Sequence, residues 1–130
     1  MNKKKQVREN FKNEVFKRDN YTCRICNHYY GKEEANKYLD SHHILDRNSP
    51  EFKGTGGYVK ENGISLCKYE KSDFFNGEPM KGLEENSCHM KAEKFHISGG
   101  VEWEEAMHPD DLYKLIGSSK EIAIKASEKL

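Results

Sequence analysis

The chain has no long apolar run: no stretch approaches the roughly 20 residues that cross a membrane, and the opening MNKKKQVREN lacks the apolar core of a secretory leader. These two absences point to a cytoplasmic protein with no membrane partner. Repeats, low-complexity tracts and a convincing linker are also missing, so residues 1–130 read as a single domain. Apolar residues are scarce, at 35% hydrophobic against 34% charged over 130 residues. Such a core is thin, and something besides burial has to help hold it together. Net charge is absent as well, with 22 Lys and Arg matching 22 Asp and Glu, so overall basicity gives no reason to expect a polyanionic partner.

What is present is unevenly placed. Residues 1–30 carry eight Lys/Arg against three acids, and residues 101–130 four Lys against seven acids. A basic head suits phosphate contacts, with Lys17, Arg18 and Arg24 as candidates, although a solvated helix face with a ragged basic end accounts for the same pattern.

Val7, Phe11 and Val15 fall four apart and predict an amphipathic helix ending near Asp19-Asn20. YTCRICNHYY reads as a tight knuckle. Residues 38–45 and 63–67 are short and apolar enough for two strands, with a loop rich in Gly, Asn, Ser and Pro between them. CHMKAEKF is helical in propensity and stops at Gly99-Gly100. HPDDLYKLI and SSKEIAIKASEKL predict two further helices, the second opened by a capping box of Ser118 and Glu121.

Four cysteines in a cytosolic chain are metal ligands more often than two disulfides. Cys23 and Cys26 form C-x-x-C, which brings two thiolates of one turn to one metal; Cys67 ends the second strand and Cys88 starts the later helix. Four thiolates make a closed, tetrahedral, structural zinc site, and such a site would supply the stabilisation the thin core lacks. Twenty residues separate Cys67 from Cys88, a wide gap for a zinc pair, and a buried small hydrophobe is the lesser alternative for Cys67. Convergence of the four would also gather His42 or His43, Asn62 and His89.

At CRIC, DSHHI, NGISLC and CHMKAE the sequence resembles the HNH nucleases of the ββα-metal (His-Me finger) group, over roughly residues 15–97. The family often joins its last two cysteines as LC-x-x-CH, where this chain inserts residues 68–87. The resemblance implies an α+β fold, a small zinc-stapled ββα-metal core with flanking helices. It implies a metal-dependent endonuclease cutting double-stranded DNA, alone, as a homodimer or with a phage partner protein, in a bacterial or phage-infected cell. His43 would be the general base, a histidine near its usual pKa of about 6.5 being able to take a proton from water at neutral pH. His42 and His89 would hold a divalent cation such as magnesium or manganese, and Asn62 would hydrogen-bond the loop and keep His43 in line. A zinc-stabilised nucleic-acid-binding module without cleavage is the alternative.

Other residues carry two readings each. Glu93, four after His89, could add a carboxylate ligand, and a solvated glutamate is the plainer reading. His96 lies about 10 Å along the helix from His89 at 1.5 Å per residue, too far to share a metal. Asp40 could orient a histidine or cap a strand. His28 and His108 read as surface residues, and Trp103 with Met107 as core.

Overall fold

The computed structural model describes residues 2–69, 74–75, 78–79 and 87–130. Lys3–Arg18 form α1, started by Asn2, whose side-chain oxygen accepts the Lys5 N–H at 2.8 Å. Its apolar stripe buries Phe11, Val15 and Phe16, and the helix stops at Asp19 as its periodicity predicts.

Leu39–His43 (β1) pairs antiparallel with Gly63–Cys67 (β2), Leu39 opposite Cys67 and His43 opposite Gly63. The fold is thus a small α+β arrangement around a two-stranded antiparallel sheet. β2 is buried at every position. Gly63 is required there: a Cβ would come within 2.5 Å of Val15 Cγ2 and 2.7 Å of Phe11, so only glycine lets α1 lie this close to the sheet. β1 is shorter than the expected 38–45. At its start Tyr38 ends the short helix α2, Ala35–Tyr38. At its far end the Asn62 side chain takes over as partner, accepting the Leu45 N–H at 3.0 Å and donating to the Leu45 carbonyl at 3.0 Å.

The knuckle closes through Cys23 N–H to the His28 carbonyl and Asn27 N–H to the Cys23 carbonyl, and Arg24 N–H ties it to Ser65 of β2. Phe74–Phe75 (β3) and Glu78–Pro79 (β4) form a second antiparallel pair within the 68–87 insertion, most of which lies outside the described residues. Cys88–Ile97 is α3, capped by Ser87, which accepts the Met90 N–H at 3.2 Å. It ends at Gly99 and Gly100, both left-handed. His42 meets α3 and His43 meets α1, so the two helices cover opposite faces of the sheet, as strand alternation requires. Pro109–Leu115 (α4) and Lys120–Ser127 (α5) close the molecule, burying Leu112, Tyr113 and Ala123.

Several expectations are corrected by tertiary context. Arg18 and Arg24 are not free for phosphate: both bind the buried Asp19 carboxylate, Arg18 also donates to the Lys60 and Gly63 carbonyls, and Arg24 to the Leu115 carbonyl. Asp19 in turn accepts the Ser65 N–H at 2.8 Å, so these charges join α1, the knuckle, β2 and α4. Ser119, not Ser118, caps α5; Ser118 donates to the Glu61 carbonyl instead. His108 is the half-buried cap of α4, its ring edge-on to Phe95 and Trp103. His28 is half-buried and stacked on Tyr30. Met107 is buried, but Trp103 stays 46% exposed. Among the described residues no helix is long and apolar enough to cross a membrane.

Candidate metal centres and the histidine cleft

Two clusters of metal-ligating side chains form on the two ends of the β1–β2 pair. The first is Cys23, Cys26, Cys67 and Cys88, whose sulfurs all lie within 4.8 Å of one another. The knuckle presents two of them, the end of β2 the third and the first residue of α3 the fourth. Cys23, Cys67 and Cys88 are buried in the core, Cys26 is exposed, and all four are free thiols. Crowding makes them compete for protons. Hydrogen bonds from Cys26, Cys67 and Cys88 pull the Cys23 thiol far down, whereas sharing with Cys23 and Cys26, together with burial, pushes Cys67 and Cys88 up. Four soft donors at this spacing fit a tetrahedral metal, which would replace the shared protons.

The second cluster is His42, His89 and Glu93, again with ligand atoms within 4.8 Å of one another. His42 is fully buried on β1; its Nδ1 lies 3.0 Å from Glu93 Oε1, and His89 Nε2 lies 3.2 Å from the same oxygen. Glu93 is therefore wedged between two imidazoles rather than solvated, which corrects the plainer reading of it. The i, i+4 spacing from His89 was the signal that pointed to this carboxylate. Asp40 Oδ2 receives His89 Nδ1 at 2.7 Å and fixes that ring, leaving Nε2 turned into the cluster.

The charges follow from this geometry. Burial works against a charged His89, but the Asp40 and Glu93 carboxylates outweigh it and raise the imidazole to about 9. Burial is also the largest influence on Glu93 and Asp40, in the upward direction; His42 and His89 overcome it at Glu93, and His89 with Lys68 at Asp40, so that both carboxyls lie below their usual range. Burial dominates at His42 and pushes it down. Two imidazoles and a carboxylate are a donor set that suits a divalent transition metal. Without one, protons on the imidazoles hold the cluster together.

His43, at the end of β1, is sandwiched between the Phe11 ring, stacked at 4.6 Å, and the edge of Tyr58 at 4.6 Å. Burial, and then the charges of His42 and Arg47, lower it to about 4. This corrects the sequence expectation of a value near 6.5, and leaves the ring neutral throughout the physiological range. Among the described residues its Nε2 is buried with no partner, which makes Nδ1 the candidate nitrogen for a water. Asn62 is fully buried; besides its two bonds to Leu45 it donates to the Gly57 carbonyl at 3.3 Å and accepts the Tyr113 hydroxyl at 2.7 Å. It thus fixes the loop two residues beyond His43. His96 Nε2 donates to the His43 carbonyl at 2.9 Å, and its ring stacks on His42 at 5.3 Å, an arrangement that helical spacing from His89 alone did not reveal.

Although His42 and His43 leave the strand on opposite faces, both line one cleft of about 390 Å³ with Asp40, His89, Glu93 and His96. The loop of Asp46, Arg47 and Asn48 forms its other wall. Comparison of the chain with protein-family models, characterised proteins and solved structures gives no match in any of the three. The functional reading therefore rests on the side chains themselves.

Proposed function

We propose that the protein is a metal-dependent endonuclease of the HNH type, with a ββα-metal core formed by β1, β2 and α3, that hydrolyses phosphodiester bonds in double-stranded DNA. The observation that carries this reading is the shared cleft: three metal-ligating side chains and a neutral, loop-anchored histidine open onto the same space. Phosphodiester hydrolysis needs both a cation and a base at one phosphorus. In this reading the four cysteines hold a structural zinc, which leaves no ligand position for chemistry.

His42, His89 and Glu93 hold a divalent cation such as magnesium or manganese, and Asp40 orients His89 behind it. When bound, the cation supplies charge neutralisation at the scissile phosphate and stabilises the departing 3′ oxygen. His43 Nδ1 takes one proton from the attacking water as the water oxygen bonds to phosphorus. The bond from phosphorus to the 3′ oxygen breaks, its electron pair goes to that oxygen, and solvent returns a proton, leaving 3′-hydroxyl and 5′-phosphate ends. Asn62 acts as a positioning residue, holding the Leu45 backbone so that His43 keeps its direction. One cleft per chain cuts one strand per encounter; a double-strand break requires a second copy or a second visit.

The test is His43→Ala. Loss of a general base lowers the cleavage rate by about 10²- to 10⁴-fold, with zinc content and DNA affinity preserved and the protein still folded, at a melting temperature lowered by the cavity left between Phe11 and Tyr58. Cutting at the wild-type rate would remove His43 from the chemistry and favour the alternative, a zinc-stabilised nucleic-acid-binding module of the same fold.

A further inference from the structure

Beside the histidine cleft lies a second and larger concavity of about 630 Å³, lined by Lys3, Lys4 and Arg8 of α1 and by Arg47 and Asn48 of the loop after β1. Gly54, Gly56 and Tyr58 form the wall facing α1. Its chemistry is the opposite of its neighbour's. The cleft carries Asp40, Asp46 and Glu93; the groove carries four cations and no acidic side chain. Among the described residues none of these four cations has a carboxylate partner, in contrast to Arg18 and Arg24, which are occupied by Asp19. Lys3, Lys4, Arg8 and Arg47 are all exposed. Among the described residues no acidic side chain lines this concavity with the four cations, and like charges gathered there repel one another, which an anionic ligand would relieve.

The two spaces are continuous. Arg47 and Asn48 line both, and Tyr58 joins them from behind, with its ring edge against His43 and the Arg8 guanidinium 5.6 Å above its centre. Lys4 and Arg8 are one turn apart on one face of α1, about 6 Å along the axis. A ligand that satisfies both spaces has to be an anion long enough to place one phosphate at the cation site while presenting others to α1. A nucleic-acid backbone, which carries phosphates in series, meets that requirement.

We propose that this groove is the track for the DNA backbone flanking the scissile phosphate: Lys3, Lys4, Arg8 and Arg47 contact consecutive phosphates of a duplex running from the histidine cleft along the amino-terminal half of α1. The inference rests on the nuclease reading for the choice of duplex DNA, and the groove meets only the backbone, so affinity without sequence preference is expected. The local +5 excess of the first 30 residues is then divided by role. Arg18 and Arg24 hold the fold, and Lys3, Lys4 and Arg8 face the ligand.

The experiment is fluorescence anisotropy of the full-length, zinc-loaded protein on two labelled duplexes of unrelated sequence, with no divalent cation added, across a range of salt concentrations. Lys3→Gln/Lys4→Gln/Arg8→Gln is compared with Lys32→Gln/Lys114→Gln/Lys125→Gln, a triple neutralisation of exposed lysines outside the groove. The groove variant is expected to bind both duplexes more weakly and to flatten the dependence of log K on log salt by about 0.9 for each phosphate no longer neutralised. The control variant keeps the wild-type slope apart from a small common offset. Circular dichroism and melting temperature establish that both variants are folded, which exposed substitutions of this kind permit. Equal slopes in the two variants, a wild type that binds no duplex, or capture by anionic lipid vesicles in preference to DNA would each overturn the track. Cleavage is scored separately: a wild type that binds through the groove but cuts under none of the added cations leaves the track standing and removes the nuclease.

Discussion

The two metal-ligating clusters sit at opposite ends of the same pair of strands and differ in almost every property. Cys67 ends β2 inside the core, and the thiol cluster there shares its space with buried apolar side chains. The His42, His89 and Glu93 cluster lies under an open cleft, with the Glu93 side chain 29% exposed. The first offers only soft donors that close a coordination shell; the second offers mixed nitrogen and oxygen donors with carboxylate support and space beside them. On the proposed reading one end holds and the other reacts, and breaking either cluster has a different signature.

The largest effect is expected at the thiol end. Cys67→Ser removes one of four ligands from a site whose metal would be worth about 10 kcal/mol or more to folding, a sum comparable with the whole stability of a small domain. Elemental analysis of the wild type should give one zinc per chain, and the variant should lose both the metal and its cooperative melting transition. A well-folded, zinc-free wild type would rule out the staple. At the cleft end, His42→Ala and His89→Ala should leave the melting transition in place and weaken cation binding by more than the 10- to 100-fold that outer-shell partners are worth. Titration calorimetry with manganese reads this directly, and cleavage should recover partly at high manganese. Unchanged affinity in either variant would mean that its imidazole is no ligand. Asp40→Asn, which keeps a partner for His89 but removes its charge, should cost only about 10- to 100-fold in the same titration.

The smallest effect sharpens the comparison through pH. His43, lowered to about 4, is neutral in the fold; its contribution to stability is present above the unfolded value of about 6.5 and is lost as pH falls towards 4. His89, raised to about 9, is charged in the cation-free fold; its contribution is present below about 6.5 and is lost as pH rises through 9. Melting temperatures measured without added cation should therefore fall on both sides of about pH 6.5, and His89→Ala should abolish the alkaline decline while sparing the acid one. Because His89 has to give up its proton to bind a metal, cation affinity should strengthen as pH rises towards 9. A flat alkaline limb in the wild type would contradict the carboxylate clamp on His89.

Part of this was legible in the sequence because the relevant signals are local. C-x-x-C marks a candidate metal pair by spacing, the 4-residue step from Val7 to Val15 draws α1, and Gly99-Gly100 stops α3. The part of Asn62 as a loop clamp came from the family resemblance, and its bonds to the Leu45 backbone show the clamp itself. What stayed hidden depends on residues distant in sequence. Arg18 and Arg24 look like phosphate ligands until Asp19 and the carbonyls of Lys60, Gly63 and Leu115 claim them. Ser118 fits the capping-box pattern as well as Ser119 does, and only its bond to Glu61 across the fold decides between them. The downward shift of the His43 imidazole was hidden because its largest cause is burial, to which Phe11 and Tyr58, 32 positions before and 15 after it, contribute. Strand alternation alone would also separate His42 from His43; their common cleft arises because β1 ends there and the Asp46–Asn48 loop turns back over both.

Whether the cleft, loaded with a divalent cation, cuts DNA decides the nuclease reading. Relaxation of a supercoiled plasmid answers it, using the purified, zinc-loaded protein with a chelator too weak to strip the thiol site, and then with magnesium, manganese, nickel and zinc added in turn. Supercoiled DNA should stay intact in the chelator and become nicked or linear, with 3′-hydroxyl and 5′-phosphate ends, once a suitable cation is supplied. Plasmid that stays supercoiled under every cation while the protein shifts its mobility on a gel, or cutting that continues undiminished in the chelator, would contradict that reading.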